Sequence, residues 1–255
     1  MIKEFIKQKL PAVIWITKIS GVTLFFVLLL GAVMEYASAF EVFTLERVKI
    51  SGNEIVSPDD LFSLSGLKFG ENLLDSDIRR AAARIESNPF IRKAMISRDL
   101  PNSFSIKVEE RTPFAFLVIG ELYCTDIDGY LLPSRLHKRF DLPVITGIED
   151  ITAPKFGDKI DNARFRKALK IAKLLSEEPL PLYNIISEIH IGARGDVNLI
   201  GTKNSTLVYL GKSDFRNKID RIRSLIATIN PGEGLSGYQY VDLRFKNQVI
   251  VKERS

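Results

Sequence analysis

Residues Ile19 to Met34, ISGVTLFFVLLLGAVM, form an unbroken apolar run bounded by Lys18 and Glu35. A helix needs about 20 apolar residues to cross the hydrocarbon core, so the run alone is slightly short. Its flanks complete it. Val13 to Ile16 extend the apolar character upstream, Lys18 can snorkel its ammonium to the headgroups, and Tyr36 and Phe40 continue downstream. The expectation is a tilted helix from about Ala12 to about Ala37, with residues 15–37 as the membrane segment. The tail carries Lys3, Lys7, Lys9 and Lys18 against Glu4, whereas Glu35 and Glu41 are the first charges beyond the run. The positive-inside rule then keeps residues 1–14 in the cytoplasm and exports the remainder. Ala37-Ser38-Ala39 has the A-x-A form of a cleavage site, so a secretory signal peptide is the rival reading, and the length of the run argues against it.

Charge looks informative until it is divided along the chain. Removing residues 1–34 from the 36 bases and 31 acids leaves 32 and 30, nearly balanced. No basic tract with interleaved aromatics marks a nucleic-acid surface. Cys124 is the only cysteine, which excludes an internal disulfide and a Cys-rich zinc site; it is expected in a buried strand.

Beyond the anchor, Phe43 to Ile50 has strand content, with Leu45, Val48 and Ile50 facing inward, and Ser51-Gly52-Asn53 breaks it. Ser57 caps a short helix with Pro58 at its first position and Asp59 and Asp60 in its first turn. Asn72 to Asn88 reads as a second helix, capped at Asp75 or Ser76, with Ile78, Ala81, Ala82 and Ile85 on one face. Arg79, Arg80 and Arg84 populate its solvated side. Strands Phe90 to Asp99 and Ser103 to Glu110 follow, the second alternating Phe104, Ile106 and Val108 with polar residues. The order is β-α-α-β-β.

These residues carry a resemblance. VKISGNE at 48–54, GENLLDSD at 70–77 and NPFIRKAMISRDLPNSFSIKVEERTPFA at 88–115 resemble the POTRA domain of the bacterial FtsQ/DivIB division family. The sequence of parts is similar too: a short basic tail, one anchor, the POTRA segment, then a second domain with D-x-x-G-Y at Asp126 to Tyr130 and a late Val-Asp-Leu-Arg at Val241 to Arg244. The resemblance implies an uncleaved anchor, a POTRA domain over 42–111 and a partner-binding β domain over 112–255. The fold class is therefore α+β: a single N-terminal transmembrane helix, the POTRA module, then a mixed domain with a C-terminal antiparallel sheet.

In that second domain, Phe114 to Ile119 and Glu121 to Thr125 make a hairpin, continued by Tyr130 to Leu132 after an Asp128-Gly129 turn. That turn accounts for Asp126 and Asp128 without calcium. A strand at Leu142 to Ile145 precedes an amphipathic helix, Asp161 to Glu178, with Phe165, Leu169, Ala172 and Leu175 on one face, stopped by Pro179 and Pro181. Strands follow at Ile185 to Ile191, Asp196 to Ile200 and Ser205 to Leu210. A helix capped at Ser213-Asp214 stops at Asn230-Pro231-Gly232, and strands Gln239 to Phe245 and Gln248 to Lys252 finish the chain.

No catalytic constellation is legible. His137 and His190 have no ligand neighbours in sequence, no G-x-S-x-G elbow or Walker A loop exists, and Glu109-Glu110 and Glu177-Glu178 are adjacent pairs that cannot converge. No cofactor, metal or small-molecule substrate is expected. If the final alternating strand lies at a sheet edge, it has free N–H and C=O groups and can accept a strand from another chain, with Phe245, Val249 and Val251 selecting side chains; the alternative is that its own domain covers it and Arg244 anchors the hairpin. The resemblance implies that the added strand comes from a division protein of the FtsB/FtsL type. It also singles out Arg244 and Phe245, with Arg194 as a further residue for partner acids. Val251 and Lys252 stand where some members have a late aromatic, so this contact is expected to be repacked. The expected location is the inner membrane at the septum, with the N-terminus cytoplasmic. A POTRA-containing export or outer-membrane assembly component and a membrane-tethered cell-wall enzyme are the alternatives.

Overall fold

The computed structural model describes residues 2–39, 42–134, 141–149, 151, 154–177, 182–229 and 234–254. His137, Pro179, Pro181 and Asn230-Pro231-Gly232 lie outside them. Helix α1 runs Ile2–Ala39, starting well before the expected Ala12. Once a turn exists, each added residue closes another backbone bond at little cost, so the helix propagates through the tail. Lys18–Tyr36, 19 residues of mean hydropathy 1.9 with none of the window buried, is long and apolar enough to cross a membrane. Ala37-Ser38-Ala39 forms the helix's last residues.

The chain divides into two compact units: Met1–Ser51 with Pro58–Arg84 and Ala94–Lys107, and Gly52–Ser57 with Ile85–Lys93 and Val108–Ser255. After α1 come β1 (Arg47–Ser51), α2 (Pro58–Ser65), α3 (Ile78–Glu86), β2 (Ile91–Asp99) and β3 (Ser103–Glu110), the expected β-α-α-β-β order. They make a three-stranded sheet in the order β1-β3-β2. β1 lies parallel to β3, with Val48 opposite Phe104 and Ile50 opposite Ile106. The alternation in β3 buries Phe104, Ile106 and Val108.

The expected helix from Asn72 is shorter, and its cap is Asp77. The Asp77 Oδ1 accepts the Arg79 and Arg80 amides at 3.1 and 3.0 Å. The Ser76 hydroxyl instead donates to the Asn72 carbonyl, and Arg98 donates to the Leu73 and Ser76 carbonyls at 2.7 and 2.6 Å. Those bonds hold 72–76 out of the helix. At the Ser51-Gly52-Asn53 break, Gly52 has φ +86°, and a Cβ there would lie 2.1 Å from the Val108 carbonyl oxygen. Only glycine fits that crossing.

The second unit continues with β4 (Pro113–Ile119), β5 (Glu121–Asp126), β6 (Leu131–Leu132), β7 (Val144–Thr146), α4 (Ala163–Ser176), a 3-10 turn at Tyr183–Ile185, β8 (Ile186–Ile191), β9 (Val197–Gly201), β10 (Leu207–Gly211), α5 (Phe215–Ile229), β11 (Tyr238–Asp242) and β12 (Ile250–Glu253). The strands form one nine-stranded sheet, ordered β12-β11-β10-β9-β8-β7-β4-β5-β6. Strands joined by tight connections pair antiparallel, as expected. The pairs β10/β11, β7/β8 and β4/β7 are parallel, so the sheet is mixed. Parallel pairing needs a crossover; α5 supplies it before β11 and α4 before β8. Phe165, Leu169, Ala172 and Leu175 of α4 and Ile219, Ile222 and Ile226 of α5 are buried in one cluster with Ile189, Leu199, Val208 and Val241 of the sheet. The α4 cap is Asn162, whose Oδ1 accepts the Arg164 and Phe165 amides at 2.9 and 3.0 Å.

A candidate strand edge and the cleft beside it

β12 stands at one end of the sheet order. It pairs antiparallel with β11, setting Val251 opposite Val241 and Ile250 opposite Asp242. β11 ends at Asp242, short of the expected Phe245, for a local reason. The Asp242 carboxylate turns back and its Oδ1 accepts the Arg244 amide at 2.9 Å, closing a side-chain turn that stops the ladder. Phe245 therefore lies in the connection to β12 with half its surface exposed, and Asn247 in that connection adopts φ +59°. Val249 and Val251 are half-buried and pack on the core cluster, whereas Ile250 between them is 38% exposed.

Arg194 and Arg244, fifty residues apart in sequence, line one cleft of about 560 Å³ together with Asp196, Tyr209, Lys212 and Lys218. Arg194 arrives on the β8–β9 turn, closed by the Gly192 amide donating to the Asp196 carbonyl at 2.8 Å. The Arg244 guanidinium grips Asp242 through Nε, at 3.0 and 3.1 Å, and through Nη2, at 2.6 Å. Its Cζ sits 4.6 Å from the centre of the Tyr209 ring, and that ring meets Tyr240 edge-on at 6.2 Å. Arg244 holds the Asp242 carboxyl below its ordinary pKa. Beneath them Lys218 is buried and donates to the Leu210 carbonyl at 2.6 Å, and burial pushes its pKa down. Arg244 is thus pre-oriented by Asp242 and the Tyr209 ring. Asp242 and Tyr209 position it; in sequence, Asp242 stands within the Val-Asp-Leu-Arg motif without this role, and neither Tyr209 nor the buried Lys218 of the same cleft was recognised. The D-x-R spacing at Asp242 and Arg244 was the available signal for that role; burial of Lys218 left none.

The polar groups that drew attention for chemistry are occupied in structural bonds. Glu110 accepts the amides of Glu54, Ile55 and Val56 at 2.9, 2.7 and 2.9 Å. Asp126, buried, accepts the amides of Asp128 and Tyr130 through Oδ1 and the Arg111 guanidinium at 2.8 Å through Oδ2. Arg111 in turn stacks 3.6 Å over the Tyr130 ring. The D-x-x-G-Y motif is this turn. The Thr146 hydroxyl donates to Glu188 at 2.6 Å and meets the His190 Nδ1 at 2.8 Å. Cys124 lies buried in β5, as expected, and burial pushes its thiol up to about 12. Among the described residues no group of three or more His, Cys, Asp or Glu converges on a metal position.

Comparison with known proteins places both parts of the chain. Residues 43–111 match the family model for the POTRA domain, FtsQ-type, and residues 117–244 match the model for Cell division protein FtsQ/DivIB, C-terminal. The chain belongs to the FtsQ/DivIB family of cell-division proteins. It is 30% identical to the Cell division protein FtsQ of Geotalea daltonii over 215 residues, covering 83% of this chain and 76% of the relative. FtsQ of Syntrophotalea carbinolica is 28% identical over 216 residues, with 84% and 75% covered. Cell division protein DivIB of Clostridium botulinum is 25% identical over 240 residues, 91% of each chain. The FtsQ/DivIB C-terminal match includes Asp126 to Tyr130 and runs to Arg244, so it takes in both the buried turn and the Asp242–Arg244 pair.

Proposed function

We propose that this FtsQ/DivIB chain is a non-enzymatic, single-pass scaffold of the division machinery, with its N-terminus in the cytoplasm and its bulk in the periplasm at the septum. It recruits partners of the FtsB/FtsL type by accepting a strand on β12, and Arg194 and Arg244 receive acidic side chains of that segment. A POTRA domain over 42–111 and a binding domain over 112–255 are the parts of this reading. The observation that carries it is the position of β12: a terminal strand of a nine-stranded sheet, with exposed Ile250 as its first residue and exposed Phe245 in the connection before it. An edge strand leaves a row of backbone groups unpaired, and an added strand satisfies them. The cleft beside it supplies the charge that fixes orientation.

Replacing Phe245 with Glu puts a carboxylate on the rim of this edge and is expected to weaken binding to the FtsB–FtsL pair about tenfold or more, with the circular dichroism spectrum of the full chain unchanged. Unchanged affinity with an intact fold would sink the assignment.

A further inference from the structure

The end of the sheet opposite β12 carries a second concavity. The β5–β6 turn and the first half of α4 enclose a pocket of about 600 Å³, within the range of pockets that bury a ligand. Its floor is apolar, made by Ile160, Phe165 and Leu169. The wall is tight: a Cβ on Gly129 would stand 3.1 Å from Phe165 and 3.4 Å from Leu169. Among the described residues, Lys159, Arg166, Lys170 and Lys173 line it against Asp128 and Asp161, and Asp161 is already paired with Arg166. The excess has a source in sequence. Helix α4, ARFRKALKIAKLLS, holds five Lys and Arg and no acid, although the chain beyond residue 34 is close to balanced. Among the described residues, Lys170 and Lys173 make no ion pair. An apolar floor under an uncompensated positive rim is complementary to an apolar side chain flanked by carboxylates.

We propose that this pocket is a second protein-docking site, which takes a peptide segment presenting a bulky apolar residue between acidic ones. The site does not use β12 or its cleft, so one domain can hold two partners at opposite ends of one sheet. It goes beyond the strand-edge reading and does not rest on it.

The test uses the full chain in a nanodisc of neutral phosphatidylcholine. The probe is a short fluorescein-labelled peptide with a central Phe-Leu pair between runs of Glu, and binding is read by fluorescence anisotropy. Saturable binding is expected, weakened about tenfold or more by Lys170→Glu combined with Lys173→Glu. Two changed peptides keep the question open to refutation whatever the variant does: Phe-Leu replaced by Ser-Ser, and Glu replaced by Gln. Both are expected to lose binding to the unaltered chain. Undiminished binding of the Ser-Ser peptide reduces the site to a charged surface and overturns the pocket, and undiminished binding of the Gln peptide overturns the role of the rim. Full competition by phosphatidylglycerol vesicles assigns the lysines to a lipid surface and overturns the proposal. The double lysine variant should keep its affinity for the FtsB–FtsL pair. Loss of both activities with an unchanged circular dichroism spectrum would merge the two sites and overturn the separate one.

Discussion

Two aspartates show how the same side chain is used in opposite ways. Asp126 is buried against Arg111, with the two side chains 5% and 11% exposed. Removing one charge of a buried pair leaves the other without its counterion, at a cost of about 3–5 kcal/mol. Asp126→Asn is therefore expected to lower the thermal midpoint of the full chain markedly, measured by circular dichroism in detergent. Asp242 keeps a partly exposed partner, and its carboxyl is held below the ordinary value near 3.9 by hydrogen bonds from Arg244. A depressed carboxyl stabilises the fold above its unfolded pKa, and that contribution is lost as the pH falls through the lower, folded value. The stability difference between the parent and Asp242→Asn, followed by thermal unfolding across pH, should be full at neutral pH, begin to fall near pH 3.9 and disappear only once the pH has dropped through the lower, folded value. A difference that persists undiminished in strong acid would show that the carboxylate charge is not what matters there.

Strands and helices were legible where one side of the element is wet. Phe104, Ile106 and Val108 alternate because β3 has one buried face, and Phe165, Leu169, Ala172 and Leu175 repeat at helical spacing because α4 does. Phe104→Ala empties a fully buried position and should cost about 3–5 kcal/mol, read as a shift of the urea midpoint. Element ends were less legible, since several polar residues compete to cap: Asp77 prevails over Asp75 and Ser76 because Arg98 holds the preceding turn by its carbonyls. Sheet order was legible within hairpins, such as β4–β5, and not beyond them. The parallel pairs β10/β11 and β7/β8 join strands separated by whole helices, and local pattern does not encode which neighbour a strand takes. The candidate site shared that fate. Arg194 and Arg244 could each be named from sequence, whereas their meeting in one cleft depends on β8, β9, β10 and β11 lying side by side.

As a whole, the chain reads as an apolar helix, a small β-α-α-β-β module and a nine-stranded sheet whose two ends differ. One end finishes in an edge strand beside a basic cleft, and the other in a short buried strand beside a cationic pocket. Strand addition at β12 can be tested without interference from the native thiol. Cys124 is the only cysteine and is buried with its thiol pushed up to about 12, so it will not compete in disulfide exchange under native conditions. Lys252→Cys on β12 can then be paired with single cysteines placed in turn along the binding segment of an FtsB-type partner, and disulfide formation read by non-reducing electrophoresis. Strand addition predicts cross-links that peak at one register and recur at every second partner position. Cross-linking absent at every position, with the fold intact and the partner bound, would contradict it.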